Sequence, residues 1–274
     1  MSHSTAHESA ASRINTSIPH PARVYDYLLG GKDNFAADRE AAEQLLKMSP
    51  GTREGVQAHR AFLRRAVGYL AAEAGITQFL DIGTGIPTQG NTHEIAQEAN
   101  PRAKVAYVDN DPIVLVHGRA LLRGSSAGAT TVIEADMREP ETILSHPEVR
   151  EVIDFTRPVG VILAGVLHFL PDDEGPYALV ERFKEAVPPG SHLLLSHITL
   201  DFAPKVDREE FTKPYDNSTA PMVPRTLAEV LPFFDGWRVI DPGLVEVVRW
   251  RPDDGYEYIP GGHAWAYGGV AVKP

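Results

Sequence analysis

Phe79-Leu80-Asp81-Ile82-Gly83-Thr84-Gly85-Ile86-Pro87-Thr88-Gln89-Gly90-Asn91 is the stretch that decides the fold. An apolar run ends in an acid, and a Gly-x-Gly turn follows at once. This is the outline of a strand feeding a ligand-binding turn. The dinucleotide fingerprint G-x-G-x-x-G needs its third glycine at position 88, where it lets helix and strand pack closely. That position is Thr88, after Pro87. The turn therefore departs from the dinucleotide pattern, and its neighbours must say what it binds.

Downstream, short apolar runs alternate with helical periodicity. Strands are expected at Gln78–Ile82, Lys104–Val108, Thr130–Ala135, Val159–Leu163 and Ser191–Ile198. Helices fall between them, near 91–98, 112–122, 139–144 and 174–187. Such alternation predicts a parallel sheet covered by helices. The last third reads as a short helix capped by Thr226, then strands at Trp237–Ile240, Leu244–Trp250 and Ala264–Val272. Their short links predict an antiparallel pair.

Upstream, three helices are expected. The first runs from Pro21 to Leu29 and stops at Gly30-Gly31. Asn34 is expected to cap a second over Phe35–Lys47. A third spans Thr52–Ala74, with Phe62, Leu63, Ala66, Val67, Leu70 and Ala71 on one side. Residues 1–17 read as a polar, disordered tail. The resulting division is a tail, a helical cap at 18–77 and a ligand-binding domain at 78–274.

Composition bounds the function. The chain has 274 residues, 43% hydrophobic and 23% charged, as expected of a globular protein. There are no cysteines, which excludes disulfides, thiolate metal sites and cysteine nucleophiles. No H-E-x-x-H pattern occurs, and no metal is expected. The formal net charge of −11 gains nothing from releasing counterions around a polyanion, so duplex nucleic acid is not the expected partner. No apolar run approaches the ~20 residues of a membrane span. The N-terminus has no apolar signal segment, and a cytoplasmic location is expected.

In an open parallel sheet, ligands bind beyond the C-terminal ends of the strands. Each strand end here offers chemistry. The first ends in Asp81, Gly83, Thr84 and Gly85, and the second in Asp109 and Asn110. The third ends in Asp136 and Met137, the fourth in Ala164 and Gly165 with His168 soon after. Glycines let a ligand approach the backbone. Asp109 lies roughly 26 residues past Gly83, near the ~20 expected of a ribose-binding acid. An acid at the third end can accept from an adenine amino group. Asp81 beside the glycines suits a charged amine and would repel a pyrophosphate. Together these features describe S-adenosylmethionine better than NAD.

The order D-I-G-T-G, V-D-N-D, E-A-D-M, L-A-G-V-L-H resembles the successive motifs of class I S-adenosylmethionine-dependent methyltransferases. The opening stretch ARVYDYLLGGKDNFAADREAA (residues 22–42) resembles the signature of an actinobacterial methyltransferase family formerly labelled as of unknown function. The resemblance covers roughly Pro21 to the C-terminus. It implies a Rossmann-like sheet, mostly parallel with one antiparallel strand near the C-terminus, plus an N-terminal helical cap. It implies methyl transfer to a small molecule. Gly83 and Gly85 would approach the methionine part of the cofactor, Asp81 its amine, Asp109 the ribose hydroxyls. Asp136 and the Met137 backbone would meet the adenine, and Ala164 and Gly165 the sulfonium. Pro87 departs from the common motif, which has a third glycine there.

Other readings stand beside these. Each of Asp81, Asp109 and Asp136 precedes a helix and could cap it, and Asp111 before Pro112 reads as a cap first. His168 is either a general base, with activity rising through the ordinary histidine pKa near ~6.5, or a satisfied core residue. His192 and His197 read as structural or as pocket wall. Tyr25, Lys32 and Asn34 lie in either a plain helix–turn–helix or a lid facing the cofactor, hinged at the paired glycines. Arg60 belongs to a solvated face, or reaches a carboxylate. Rival functions are a cofactor-binding regulator without turnover and an NAD-dependent oxidoreductase.

Overall fold

The computed structural model describes residues 14–87, 90–122, 128–203, 205–253, 255 and 265–274. Most of the expected polar tail, and Thr88 with it, lies outside the described residues.

Chain order begins with α1 (Pro21–Leu28), α2 (Ala36–Met48) and α3 (Thr52–Ala72). Then β1 (Gln78–Ile82), α4 (Thr92–Ala99), β2 (Lys104–Asp109), α5 (Pro112–Leu122) and β3 (Thr130–Glu134) follow. Two short helices, α6 (Pro140–Ser145) and α7 (Pro147–Val152), lead to β4 (Gly160–Ala164). After them come α8 (Pro176–Glu185), β5 (His192–Ile198), α9 (Arg208–Thr212) and α10 (Leu227–Val230). The chain closes with β6 (Arg238–Val239), β7 (Val245–Glu246) and β8 (Ala266–Val272).

The strands form one sheet in the order β3-β2-β1-β4-β5-β8-β6, with β7 also on β8. β1 to β5 pair in parallel. β8 runs antiparallel to β5, β6 and β7. The mostly parallel sheet with one antiparallel strand is therefore as expected. Order reverses between β1 and β4, which opens the crevice where such sheets bind ligands.

β1 is buried along its whole length because both faces of the sheet are covered. Leu80 and Ile82 join the core under α6, α7 and α8. Phe79 joins the opposite core, with Phe62, Leu70 and Trp250 around α3. A strand buried on both faces reads as a continuous apolar run rather than an alternating one. The apolar stripe of α3 at helical spacing points the same way and places His59 and Arg60 one turn upstream, above the strand ends.

Two local expectations need correction, and one helix is added. Asn34 does not cap α2, whose N-cap is Phe35. The Phe35 N–H is satisfied instead by Asp38 Oδ2 at 2.8 Å. The run Leu244–Trp250 is a strand only at Val245–Glu246, and a 3-10 turn follows over Val247–Arg249. Finally, α7 was not expected. Pro147 opens it, and the His146 ring accepts from the Glu148 N–H.

Candidate active site

The turn after β1 is built against the end of β2. Gly83 N–H donates to Val108 O at 2.8 Å, and Gly85 N–H donates to Asp109 Oδ2 at 2.8 Å. Both glycines have φ near +70°, a conformation that costs any residue with a Cβ. They differ in surroundings. A Cβ on Gly83 would sit 2.3 Å from Val166 Cγ2, while one on Gly85 would meet open space.

Three carboxylates stand at three adjacent strand ends. Asp81 is 5% exposed and accepts from Thr92 Oγ1 of α4 at 2.6 Å. Burial raises its pKa to about 6, against the lowering effects of the Thr92 hydroxyl and the Arg60 charge. Asp109 takes the Gly85 N–H on one oxygen and the Asp111 N–H, at 3.0 Å, on the other. Its pKa is also raised by burial, while the charge of His20 works against that. Asp136 accepts from Arg138 N–H at 2.9 Å and from Asn110 Nδ2 at 3.2 Å. Asp111 accepts from Ile113 N–H at 3.0 Å at the start of α5.

The fourth and fifth strand ends carry neutral groups. Ala164 pairs with Ser196, and Gly165 follows in the left-handed region with φ 72°. A Cβ on Gly165 would lie 3.2 Å from His59 Cε1. The His59 ring bridges two hydroxyls, Ser196 Oγ at 2.7 Å and Tyr25 Oη at 2.8 Å. Burial lowers the His59 pKa to about 4, so the ring is neutral near pH 7. This bridge ties α1 to β5 through α3.

His168 sits in a 3-10 turn after β4. Its Nδ1 accepts from the Ile198 N–H at 3.4 Å. A neutral imidazole that accepts at Nδ1 carries its proton on Nε2. Burial first, then the neighbouring His197, His59 and Arg225, drive the His168 pKa well below 6.5. His197 accepts from the buried Arg225 guanidinium at 3.0 Å. Arg225 also donates to the Leu167 and Leu170 carbonyls and to Asp172, and so clamps the turn that carries His168.

One cavity of about 260 Å³ lies above the strand ends. Asp81, Gly83, Thr84, Gly85, Asp109 and Asn110 line it. So do Asp136, Met137, Ala164, Gly165, His168 and Tyr25. Asn34 is the exception: its amide is held by Asp26 Oδ2 at 2.8 Å and the Gly31 carbonyl at 3.1 Å, inside the turn. Its role is to shape the α1–α2 connection. His168 accepts at Nδ1, so in this tautomer its Nε2 is a donor, and burial sets its pKa well below the ~6.5 of an ordinary histidine.

Sequence reasoning missed His59, Ser196 and Arg225. His59 had a legible signal, since it continues the apolar stripe of α3 three residues before Phe62. Ser196 and Arg225 had none, because their partners lie far away in the chain.

The donor set fits a particular ligand. Carboxylates at three strand ends suit a ligand bearing an ammonium, a ribose diol and an adenine amine. The Arg60 guanidinium lines the cavity beside Asp81 and suits a carboxylate. A pyrophosphate would be brought against the carboxylates of Asp81 and Asp109.

Comparison with known proteins agrees. The family model described as S-adenosyl methyltransferase matches residues 7–274. A DUF574 family protein from Streptomyces avermitilis is 44% identical, with 96% of this chain and 100% of that chain covered and a TM-score of 0.90. A Thermobifida fusca protein is 41% identical, with 94% and 96% covered and a TM-score of 0.86. The magnesium protoporphyrin IX methyltransferase of Synechocystis, solved with bound S-adenosylhomocysteine, is 14% identical over 92% and 93%, with a TM-score of 0.55, and shares the fold. No curated protein matches.

Proposed function

The chain belongs to the S-adenosyl methyltransferase family, and on that premise we propose that its cavity transfers a methyl group from S-adenosylmethionine to a small molecule. The observation that carries this reading is the placement of Asp81, Asp109 and Asp136 at the ends of β1, β2 and β3 around one cavity.

S-adenosylmethionine held here would supply an electrophilic methyl to the acceptor's lone pair, with sulfur as the leaving group. The chain's residues do the holding. Asp81 and Arg60 take the ammonium and carboxylate of the methionine part. Gly85 leaves open space for it, and Asp109 takes the ribose hydroxyls. Asp136 and the Met137 backbone meet the adenine. Ala164 and Gly165 floor the transfer site. Positioning two reactants in this way supplies much of the rate.

The helices α1 and α2 act as a cover for a sheet domain that begins at β1. Support comes from Tyr25 and Leu28 of α1, which line the cavity. No helix among the described residues is long and apolar enough to cross a membrane. S-adenosylmethionine is made inside cells, which favours a cytoplasmic setting.

Calorimetry tests the reading. S-adenosylmethionine and S-adenosylhomocysteine are expected to bind at one site per chain, and NAD to give no heat. Binding of NAD in place of both would overturn it.

A further inference from the structure

The cavity has two chemically different halves. One is the carboxylate-lined end over β1, β2 and β3. The other lies past Gly165, between α1, α2 and the segment after β5. Its wall belongs to a separate apolar cluster that includes Leu28, Leu45, Phe211, Tyr215 and Met222, with Phe169 and Trp265 packed against it. Those residues all line the cavity.

This second half carries no charged side chain among the described residues that line it. Its titratable groups are Tyr25, His59, His168, His197 and Tyr215. Burial lowers the pKa values of the three imidazoles and raises those of the two phenols, so all five are neutral near pH 7. A charged guest here would lose its water and find no counterion, which is strongly unfavourable.

The wall is also aromatic. Phe169 and Tyr215 have ring centroids 5.5 Å apart, and Phe211 and Trp265 5.7 Å. These spacings fall in the range of favourable ring contacts, and a further ring would gain the same contacts. Two side-chain donors lie at this wall, the Tyr215 hydroxyl and His168 Nε2. His168 spends Nδ1 on the Ile198 N–H, and its Nε2 has no protein partner among the described residues.

From these features we propose that the methyl acceptor is an uncharged aromatic molecule, with an oxygen that accepts a hydrogen bond from His168 Nε2. The inference rests on the methyltransferase reading, because it needs the first half of the cavity to hold the donor. It names the acceptor by chemistry: neutral, flat and oxygen-bearing. Charged amines, carboxylates and phosphate esters are excluded as ground-state guests.

The test is binding to the full chain saturated with S-adenosylhomocysteine, followed by calorimetry. Naphthol, naphthalene, naphthoate, naphthylmethylammonium and decalinol serve as probes. Naphthol is expected to bind about threefold to tenfold more tightly than decalinol, and at least ~100-fold more tightly than either ion. It should exceed naphthalene by about fivefold, the scale of one hydrogen bond. Phe211→Leu and Trp265→Leu should weaken naphthol but not S-adenosylhomocysteine, whose unchanged affinity shows that the variants are folded. In His168→Phe the advantage of naphthol over naphthalene should vanish. Equal or tighter binding of an ion, parity with decalinol, parity with naphthalene in the unmodified chain, or no naphthol binding to the saturated protein would each overturn the proposal. Failure of S-adenosylhomocysteine itself to bind would instead overturn the methyltransferase reading.

Discussion

Gly85 N–H and Asp109 Oδ2 meet at 2.8 Å, so the acid that closes β2 also fixes the turn that closes β1. The two strand ends are one unit. Removing Asp109 therefore does more than delete the proposed ribose contact, because it frees the Gly85 and Asp111 amides as well.

Asp109→Ala is expected to weaken S-adenosylhomocysteine binding by ~1.5–3 kcal/mol, the scale of hydrogen bonds to a charged group. Asp109→Asn should lose less, because its amide oxygen still accepts from the turn. Calorimetry on both variants checks this. Unchanged affinity in a folded Asp109→Ala protein would remove Asp109 from the site.

Asp81 gives a pH signature in two opposite directions. Its pKa is raised to about 6 by burial, above the ~4 of an unfolded chain. The folded state therefore holds this proton more tightly. The stability it contributes is fully present below the unfolded value and is lost as pH rises through about 6. If, as proposed, Asp81 takes the cofactor ammonium as a carboxylate, affinity should fall as pH drops through about 6, approaching tenfold per unit below it. Asp109, also raised by burial, adds to the same fall. Asp81→Asn should bind more weakly at pH 8 and show a shallower pH dependence. An affinity that stays flat between pH 5 and pH 8 in the unmodified protein would refute the carboxylate–ammonium contact.

Gly83 and Gly85 share a positive φ but differ in space. Gly85→Ala should cost only ~1–2 kcal/mol, the penalty of the left-handed conformation. Gly83→Ala adds an overlap with Val166 and should cost ~3 kcal/mol or more. Urea unfolding of the two variants measures the difference. Equal losses would mean that Val166 moves aside freely.

Arg23 is buried between Asp111 and Asp38, with Nε 3.0 Å from Asp111 and Nη1 3.7 Å from Asp38. The Asp111 contact is Coulombic rather than an aligned hydrogen bond. Arg23→Met would leave Asp111 with only His20 and the Ile113 amide. A loss of ~3–5 kcal/mol of stability is expected, read by urea unfolding. A loss below ~1 kcal/mol would show that His20, 3.2 Å from Asp111, suffices.

His168 should not titrate near neutrality. In a ¹⁵N-histidine NMR series from about pH 6 to about pH 8, its resonances should stay at the neutral values, with Nδ1 unprotonated and Nε2 protonated. The driving cause is burial, followed by His197, His59 and Arg225. A midpoint near ~6.5 would restore His168 as a candidate base.

The sequence alone determined the sheet and the placement of its acids. A strand buried on both faces must be apolar throughout, and a tight turn at its end must contain glycine. Those two constraints are local, so Phe79–Gly85 announced β1 and its turn, and the successive acids announced the strand ends. The helical stripe of α3 was legible for the same reason.

What only the tertiary structure decided depends on partners distant in the chain. Asn34 looks like a helix cap beside a polar turn, yet Asp26 claims its amide and Asp38 caps the neighbouring amide instead. Leu244–Trp250 has strand composition, but β8 pairs with only two of its residues. His168 reads as a base from its chemistry, whereas its tautomer depends on the Ile198 amide and its low pKa on burial. The link from Tyr25 through His59 to Ser196 joins three separate elements. Hydrogen-bond partners and desolvation are properties of the packed chain, whereas burial periodicity and turn stereochemistry are written residue by residue.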